Sequence, residues 1–380
     1  MKTTNIGICF GGYCPLHQGH MDVIMKAKKE NDICYVIVCG YDDEPRGWEI
    51  NLNLDERFKI IKEFFKDDEQ IRVRKINDTE LKIDESMSDH NWTVWQAMVK
   101  EFVDNDFPYI VKKYAIDQNG SENLYFTDHP ITWYVAEEFY KKSIEKNNVL
   151  NANVILVEKT NPVSGTQIRK NPVKYWNKIA EPFKKYLTKN ILVVGTASEG
   201  KSTLVRDISR YFGIPYSDEW ARTYMAEHNL RDQDLTVNDF RAFLEGQTNQ
   251  SLEKITHTPN GVFIADTDAC VTLMYALAYA EDDDINVSER DYFNCIEPLA
   301  EKVIKKIKWD HIFVFPPDKS FVDDGVRYMK QSSMDERQKN FIKLQQLINK
   351  YYPEVSKTYL IGSFLDNFNS VKDYINTLID

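Results

Sequence analysis

The chain lacks any apolar run near the ~18 residues that a membrane-spanning helix needs. It also enters a β-prone segment almost at once, without the charged and then apolar start of a secretory signal. A cytoplasmic protein is therefore expected. A basic excess is missing too: 48 Lys and Arg stand against 59 Asp and Glu, a net charge of −11. Phosphate-backbone affinity needs a positive surface, so wholesale nucleic-acid binding is disfavoured. The six cysteines (Cys9, Cys14, Cys34, Cys39, Cys270, Cys295) form no C-x-x-C pair, and several sit inside apolar runs, as reduced, packed thiols do. No internal repeat or low-complexity tract interrupts the chain. What is present is ordinary globular composition, 42% hydrophobic and 28% charged, and 380 residues are enough for two domains with cores of their own.

The most specific stretch is Ile191 to Thr203, ILVVGTASEGKST. Four apolar residues read as a buried strand that runs into Gly195, Ser198, Gly200, Lys201, Ser202 and Thr203, the G-x-x-x-x-G-K-[ST] phosphate loop in its strand-loop-helix setting. Glycines let backbone N–H groups turn toward a phosphate, and the helix that follows adds the positive end of its dipole. Lys201 is expected to reach the β/γ-phosphates of ATP and Ser202 to ligate Mg²⁺. A phosphate loop opens its domain, so the half of the chain before it is a separate domain. The expected division is 1–188 and 189–380.

In the first half, Asn5 to Phe10 is a buried strand that ends in Gly11, Gly12, Tyr13, Cys14 and Pro15. His17, Gln18, Gly19 and His20 open the next helix. Two imidazoles three residues apart share one face of its first turn, where the helix dipole attracts phosphate. Metal ligation would need a third ligand nearby, and none is evident, so nucleotide binding is the better reading. Strands are expected at Ile33 to Gly40, Gln70 to Ile76, Tyr109 to Ile116 and Ala152 to Val157, with helices at Asn53 to Lys66 and Trp92 to Val103. Alternation of this kind makes a doubly wound, Rossmann-like parallel sheet with its ligand at the strand carboxyl ends. Trp92 is a candidate to stack on a base, although Trp92 and Trp95, three apart, equally suit a core. Asn171 to Lys189 reads as an inter-domain helix and linker.

In the second half, Ile214 begins a short strand ending at Ser217-Asp218-Glu219-Trp220-Ala221-Arg222. Glu219 and Arg222, one helical turn apart, face the crevice where a kinase keeps its acceptor hydroxyl. Asp218 reads better as part of a solvated cap. Gly261 to Ala265 is an apolar strand that ends in Asp266-Thr267-Asp268, a pattern that places a carboxylate where Mg²⁺ sits. Asp266 and Asp268 compete with Glu219 for the general-base role. The charged stretch with Arg327, and Arg337 ten residues on, reads as a lid carrying arginines to the transferring phosphate. Strands at Asp310 to Phe315 and Thr358 to Ile361 and a helix from Ser370 close the domain.

GGYCPLHQGH resembles the G-x-[FY]-x-P-x-H-x-G-H motif of the nucleotidylyltransferases, and Val163-Ser164-Gly165-Thr166-Gln167-Ile168-Arg169 resembles their second motif, [IV]-S-[GAS]-T-x-[IV]-R. With the phosphate loop, E-W-A-R, D-T-D and D-D-G-x-R in order, essentially the whole chain resembles the NadR-type bifunctional enzymes. The resemblance implies a Rossmann-like nucleotidylyltransferase domain followed by a P-loop kinase domain, both with parallel sheets. It implies phosphorylation of nicotinamide riboside by ATP, then adenylylation of nicotinamide mononucleotide to NAD with release of pyrophosphate. His17, His20 and Arg169 would hold the ATP phosphates with Mg²⁺ bridging, and Ser164 or Thr166 would cap the helix that carries Arg169. Three departures stand out. The chain opens on the transferase's first strand, so no DNA-binding module is expected. Thr127-Asp128-His129-Pro130 stands where the family has Ser-Glu-Pro after the fourth strand. Ala197 and Glu199 replace small polar residues in the phosphate loop. Alternatives are a kinase-only enzyme with a degenerate first domain, a nucleotide-gated regulator, and a phosphopantetheine adenylyltransferase fused to a dephospho-coenzyme A kinase, against which His17 and Arg169 argue. Assembly of several copies is left open.

Overall fold

A computed structural model of the chain describes residues 3–83, 89–107, 110–116, 122–127, 129–160, 163–281, 286–321 and 332–379. It divides into two compact units, Met1–Tyr186 and Leu187–Asp380.

In the first unit, β1 (Ile6–Gly11) and β2 (Ile33–Gly40) are largely buried and apolar, and β3 (Ile71–Asn77) buries Ile71, Val73 and Ile76 while Arg72, Arg74 and Lys75 stay half-buried; the three are parallel. The strand segments β4 (Ile110–Ile116) and β5 (Glu122–Thr127) do not join them; they form a separate antiparallel ribbon. The expectation that Tyr109 to Ile116 belongs to the parallel sheet is therefore corrected. Only five residues separate β4 from β5, and they contain Asn119-Gly120, a hairpin signal, whereas parallel pairing needs a crossover of about a dozen residues. The sheet is completed instead by β6 (Ile131–Val135) and β7 (Asn153–Leu156), giving the order β3-β2-β1-β6-β7. Its core is aromatic-rich, with Tyr35, Trp92, Trp95 and Trp133 packed against Ile6, Ile8 and Ile37.

This topology also relocates one departure from the family pattern. The fourth strand of the sheet is β6, so the residues that leave its carboxyl end are Ala136, Glu137 and Glu138. Thr127 and His129 precede that strand, and Asp128 lies outside the described residues. The stretch Asn171 to Lys189, expected as inter-domain helix and linker, belongs to the first unit as far as Tyr186. Trp176 and Phe183 are buried, Ala180 N–H donates to the Leu16 carbonyl at 3.0 Å, and Ile179 bridges His17, so the segment backs the H-x-G-H turn.

The second unit is wound about β8 (Lys189–Gly195), whose residues from Asn190 onward are all buried. Together with β9 (Tyr216–Ser217), β10 (Val262–Asp266), β11 (His311–Phe315) and β12 (Ser356–Tyr359) it forms a parallel sheet of order β12-β11-β8-β10-β9. Burial on both faces explains the continuous rather than alternating apolar runs of β8, β10 and β11. The last helix, Phe364–Ile379, starts six residues before the expected Ser370. Ser363 and Asp366 form a reciprocal cap there, Asp366 N–H to the Ser363 hydroxyl at 3.2 Å and Ser363 N–H to the Asp366 carboxylate at 3.1 Å. Among the described residues no helix is long and apolar enough to cross a membrane.

Candidate functional sites

In the first unit, β1 ends in Gly11-Gly12 and the helix Gln18–Glu30 begins after an extended His17. The His17 and His20 rings stack with centroids 3.7 Å apart, and Tyr13 meets His20 edge-on at 4.9 Å. Both imidazole Nδ1 atoms are buried without a partner. Burial, the Lys159 ammonium and, for His20, the neighbouring His17 disfavour their charged forms. His17 is pulled down from 6.5 to about 4 and His20 well below 6.5. The pair is thus neutral at physiological pH, a set of hydrogen-bonding groups and not a source of charge.

A cavity of about 360 Å³ opens over this turn, lined by Gly11, Gly12, Tyr13, Gly19 and His20 and walled by aromatic residues. Trp92 lines the cavity and is also buried in an edge-to-face cluster with Phe10, Trp95 and Tyr140, as a core residue is. Asp78, just past the carboxyl end of β3, reaches the same cavity, and burial lifts its carboxyl to about 6. Sequence reasoning missed it, although the strand-end rule that singled out Gly11 applies equally to Asn77-Asp78. Arg46, Glu137 and Lys159 were missed as well. The second motif forms the helix Gly165–Lys170, with Ser164 and Gln167 in a reciprocal cap. A Cβ on Gly165 would lie 2.9 Å from the Cys14 carbonyl oxygen, so only glycine lets this helix approach the H-x-G-H turn. Arg169 consequently reaches back beneath that turn. It donates to the Cys14 carbonyl at 2.7 Å and the Thr166 hydroxyl at 3.3 Å, and pairs with Glu49.

In the second unit, Gly195 has φ +153 and an added Cβ there would meet the Phe315 carbonyl at 2.7 Å. Ser198 and Gly200 also have positive φ, and Gly200 leads into the helix Lys201–Phe212. The Lys201 ammonium folds back onto the Thr196 carbonyl at 2.7 Å. Asp266, the last residue of β10, is buried and neither carboxylate oxygen has a hydrogen-bond partner. Burial raises its carboxyl, opposed chiefly by the Lys201 ammonium. Asp268 is different, and its metal and catalytic assignments are corrected here. It caps the helix Ala269–Ala280 through Cys270 N–H at 3.0 Å and accepts from the Tyr352 hydroxyl at 2.5 Å, so its oxygens are committed within the core.

Glu199 is the unusual loop residue, and the structure accounts for it. It is fully buried and forms an ion pair with Arg337, which is likewise buried. Arg337 also donates to the Lys319 carbonyl at 2.7 Å, and the Lys319 ammonium donates to the Glu199 carbonyl at 3.0 Å. Arg337 therefore belongs to the helix Met334–Tyr351 and clamps the phosphate loop; it is not a residue of a mobile lid. Arg327 lies outside the described residues.

A second cavity of about 420 Å³ is lined by Glu219, Arg222, Asp232, Phe240, Tyr275 and Tyr279 among others, and Asp266, whose carboxyl feels both Lys201 and Glu219, links it to the phosphate loop. Glu219 accepts from Arg222 at 2.7 Å, and buried Asp232 accepts from the Tyr279 hydroxyl at 2.7 Å. Asp218 instead pairs with Arg206 on the surface. Asp232 had no sequence signal, because it sits in a polar stretch with no periodicity; only the fold delivers it.

The model of the cytidylyltransferase-like family matches residues 8–171, and that of an AAA domain matches residues 190–358. The chain is 24% identical to the trifunctional NAD biosynthesis/regulator protein NadR of Salmonella typhimurium, over 98% of this chain and 84% of that protein. It is 25% identical to the protein so described from Escherichia coli, over 88% and 74%. A crystal structure of NadR protein in complex with NR matches with a TM-score of 0.77 at 28% identity, covering 99% of this chain and 96% of that one. Another, in complex with NAD and AMP-PNP, matches at 0.76 with 27% identity.

Two outcomes follow from the site geometry. Because folding lowers both histidine pKa values, their contribution to stability is complete above about 6.5 and is lost as pH falls toward 4 and below. Chemical denaturation at a series of pH values should show the first unit weakening across that window, and less steeply in His17→Asn. In the second unit, Glu199→Gln leaves Arg337 buried without a countercharge and should cost about 3–5 kcal/mol in denaturant unfolding. Glu199→Gln combined with Arg337→Met should recover much of that loss.

Proposed function

We infer that this chain, which belongs to the NadR-type family of nicotinamide mononucleotide adenylyltransferase–ribosylnicotinamide kinases, makes NAD in two steps, one in each unit. The second unit phosphorylates the 5′-hydroxyl of nicotinamide riboside with ATP. The first joins the resulting mononucleotide to the AMP part of a further ATP and releases pyrophosphate. The observation that carries this reading is a pairing repeated in both units: a glycine turn at the end of a buried parallel strand beside a cavity lined by aromatic rings and a carboxylate. The substrates of both steps carry the same cationic pyridinium ring. Aromatic faces and a carboxylate are what such a ring selects, Tyr275, Tyr279 and Asp232 in one unit, Trp92, Trp95 and Asp78 in the other.

In the kinase unit the loop N–H groups and Lys201 hold the ATP phosphates. Glu219, at the edge of the riboside cavity, takes the proton of the attacking hydroxyl. Arg222, which donates to Glu219 at 2.7 Å, orients it. The Mg²⁺ that such transfers use fits the donors present. The two orphaned oxygens of Asp266 lie in a buried, acidic position near Lys201 and the Ser202 hydroxyl. Phosphate and water would supply the remaining ligands of such an ion. Ser202 and Asp266 would hold it, and when bound it neutralises charge on the phosphate oxygens.

In the transferase unit no side chain need act as nucleophile, because the mononucleotide phosphate attacks the α-phosphorus itself. The protein aligns the reactants and offers the neutral His17–His20 pair to the phosphate oxygens. Arg169 braces the turn from below through the Cys14 carbonyl.

Purified protein given ATP, Mg²⁺ and nicotinamide mononucleotide should yield NAD and pyrophosphate, and His20→Ala should stop this without unfolding the chain. Lys201→Ala should lower riboside phosphorylation by orders of magnitude while adenylyl transfer from supplied mononucleotide continues. Mononucleotide made from riboside with no NAD ever appearing would instead favour a kinase with a binding-only first unit.

A further inference from the structure

Adenylyl transfer brings a phosphate dianion up to the α-phosphorus of ATP, and the like charges must be neutralised where the two ligands meet. The histidine pair is neutral in the resting pocket. Arg169 is occupied below the turn by Cys14, Thr166 and Glu49, and Arg46 is paired with Glu44. Lys159 is placed differently. It follows β7 and lines the 360 Å³ cavity and also an open groove along Leu156, Val163 and Ser164. The described residues common to the two clefts are Ala136, Glu137 and Lys159, so Lys159 is the cation at their junction. The cavity suits the cationic ring of the mononucleotide, which leaves the groove for ATP. Their phosphates then meet beside Lys159. In the free chain its ammonium lies 2.8 Å from Glu137, whose side chain is 59% exposed. The lysine side chain itself is 24% exposed, and a pair this open on its carboxylate side contributes roughly 0–1 kcal/mol, so a phosphate can take the carboxylate's place.

We propose that Lys159 is a catalytic residue of adenylyl transfer, its ammonium leaving Glu137 to bridge the attacking phosphate and the α-phosphoryl group. This rests on the adenylyltransferase reading of the first unit. The new bond joins a phosphate oxygen of the mononucleotide to the α-phosphorus. The bond to the α,β-bridging oxygen breaks, and pyrophosphate leaves with that electron pair. Lys159 donates hydrogen bonds throughout and transfers no proton.

The test uses the full chain and measures both reactions on each preparation. Lys159→Met should lower kcat for NAD formation by about 10²–10³, with KM for the mononucleotide within about threefold. Lys159→Arg should restore kcat to within about tenfold of wild type; riboside phosphorylation should be unchanged in both variants, and an unchanged denaturant midpoint for the first unit shows that Lys159→Met folds. Retention of kcat within threefold in Lys159→Met, or a loss confined to KM, overturns the proposal while leaving the adenylyltransferase reading intact. A wild-type chain that makes no NAD overturns both.

Discussion

A phosphate can be held by backbone N–H groups only where the chain turns without a Cβ in the way and a helix starts beside it. Both sheets of this chain are wound about such a point. In the second unit the constraint is visible at Gly195, where any Cβ would strike the Phe315 carbonyl of the neighbouring strand. In the first it is met at one remove: Gly165 lets a second helix press against the Cys14 carbonyl and fix the H-x-G-H turn from behind. The parallel sheets, their order and their buried strands serve to present these two turns at a carboxyl edge.

The two sites manage charge in opposite ways. The phosphate loop is held by a buried network, Glu199 with Arg337 and both with Lys319. An uncompensated charge there would be costly, so the pair fixes one arrangement of the loop. The transferase pocket keeps its histidines neutral and places its cations in ion pairs open to water on one side, Lys159 with Glu137 and Arg46 with Glu44. Transfer between two anionic ligands is helped by cations that can move onto the phosphates. A kinase loop that must grip one triphosphate is helped by rigidity.

Much of this was legible in the sequence because it lies in contiguous motifs. ILVVGTASEGKST fixes a strand, a turn and a helix start within 13 residues, and H-x-G-H and S-G-T-Q-I-R do the same in the first half. Legibility ended where function is assembled from distant segments. Asp232 reaches its cavity from a polar loop, and Lys159 is defined by two clefts that no local pattern describes. Asp268 misled because a carboxylate after an apolar strand is equally a helix cap, and only the Tyr352 hydroxyl and Cys270 N–H distinguish the two. The strand Ile110–Ile116 misled because β-propensity says nothing of partner; the short Asn-Gly connection does.

The central claim is that one chain carries two independent nucleotide sites, each built on its own glycine turn. Counting bound ligand tests it most directly. Isothermal titration of the purified chain with a non-hydrolysable ATP analogue and Mg²⁺ should give two sites per chain, and nicotinamide mononucleotide should alter the affinity of the first-unit site. A stoichiometry of one per chain, in protein whose two units both unfold cooperatively, would contradict the account.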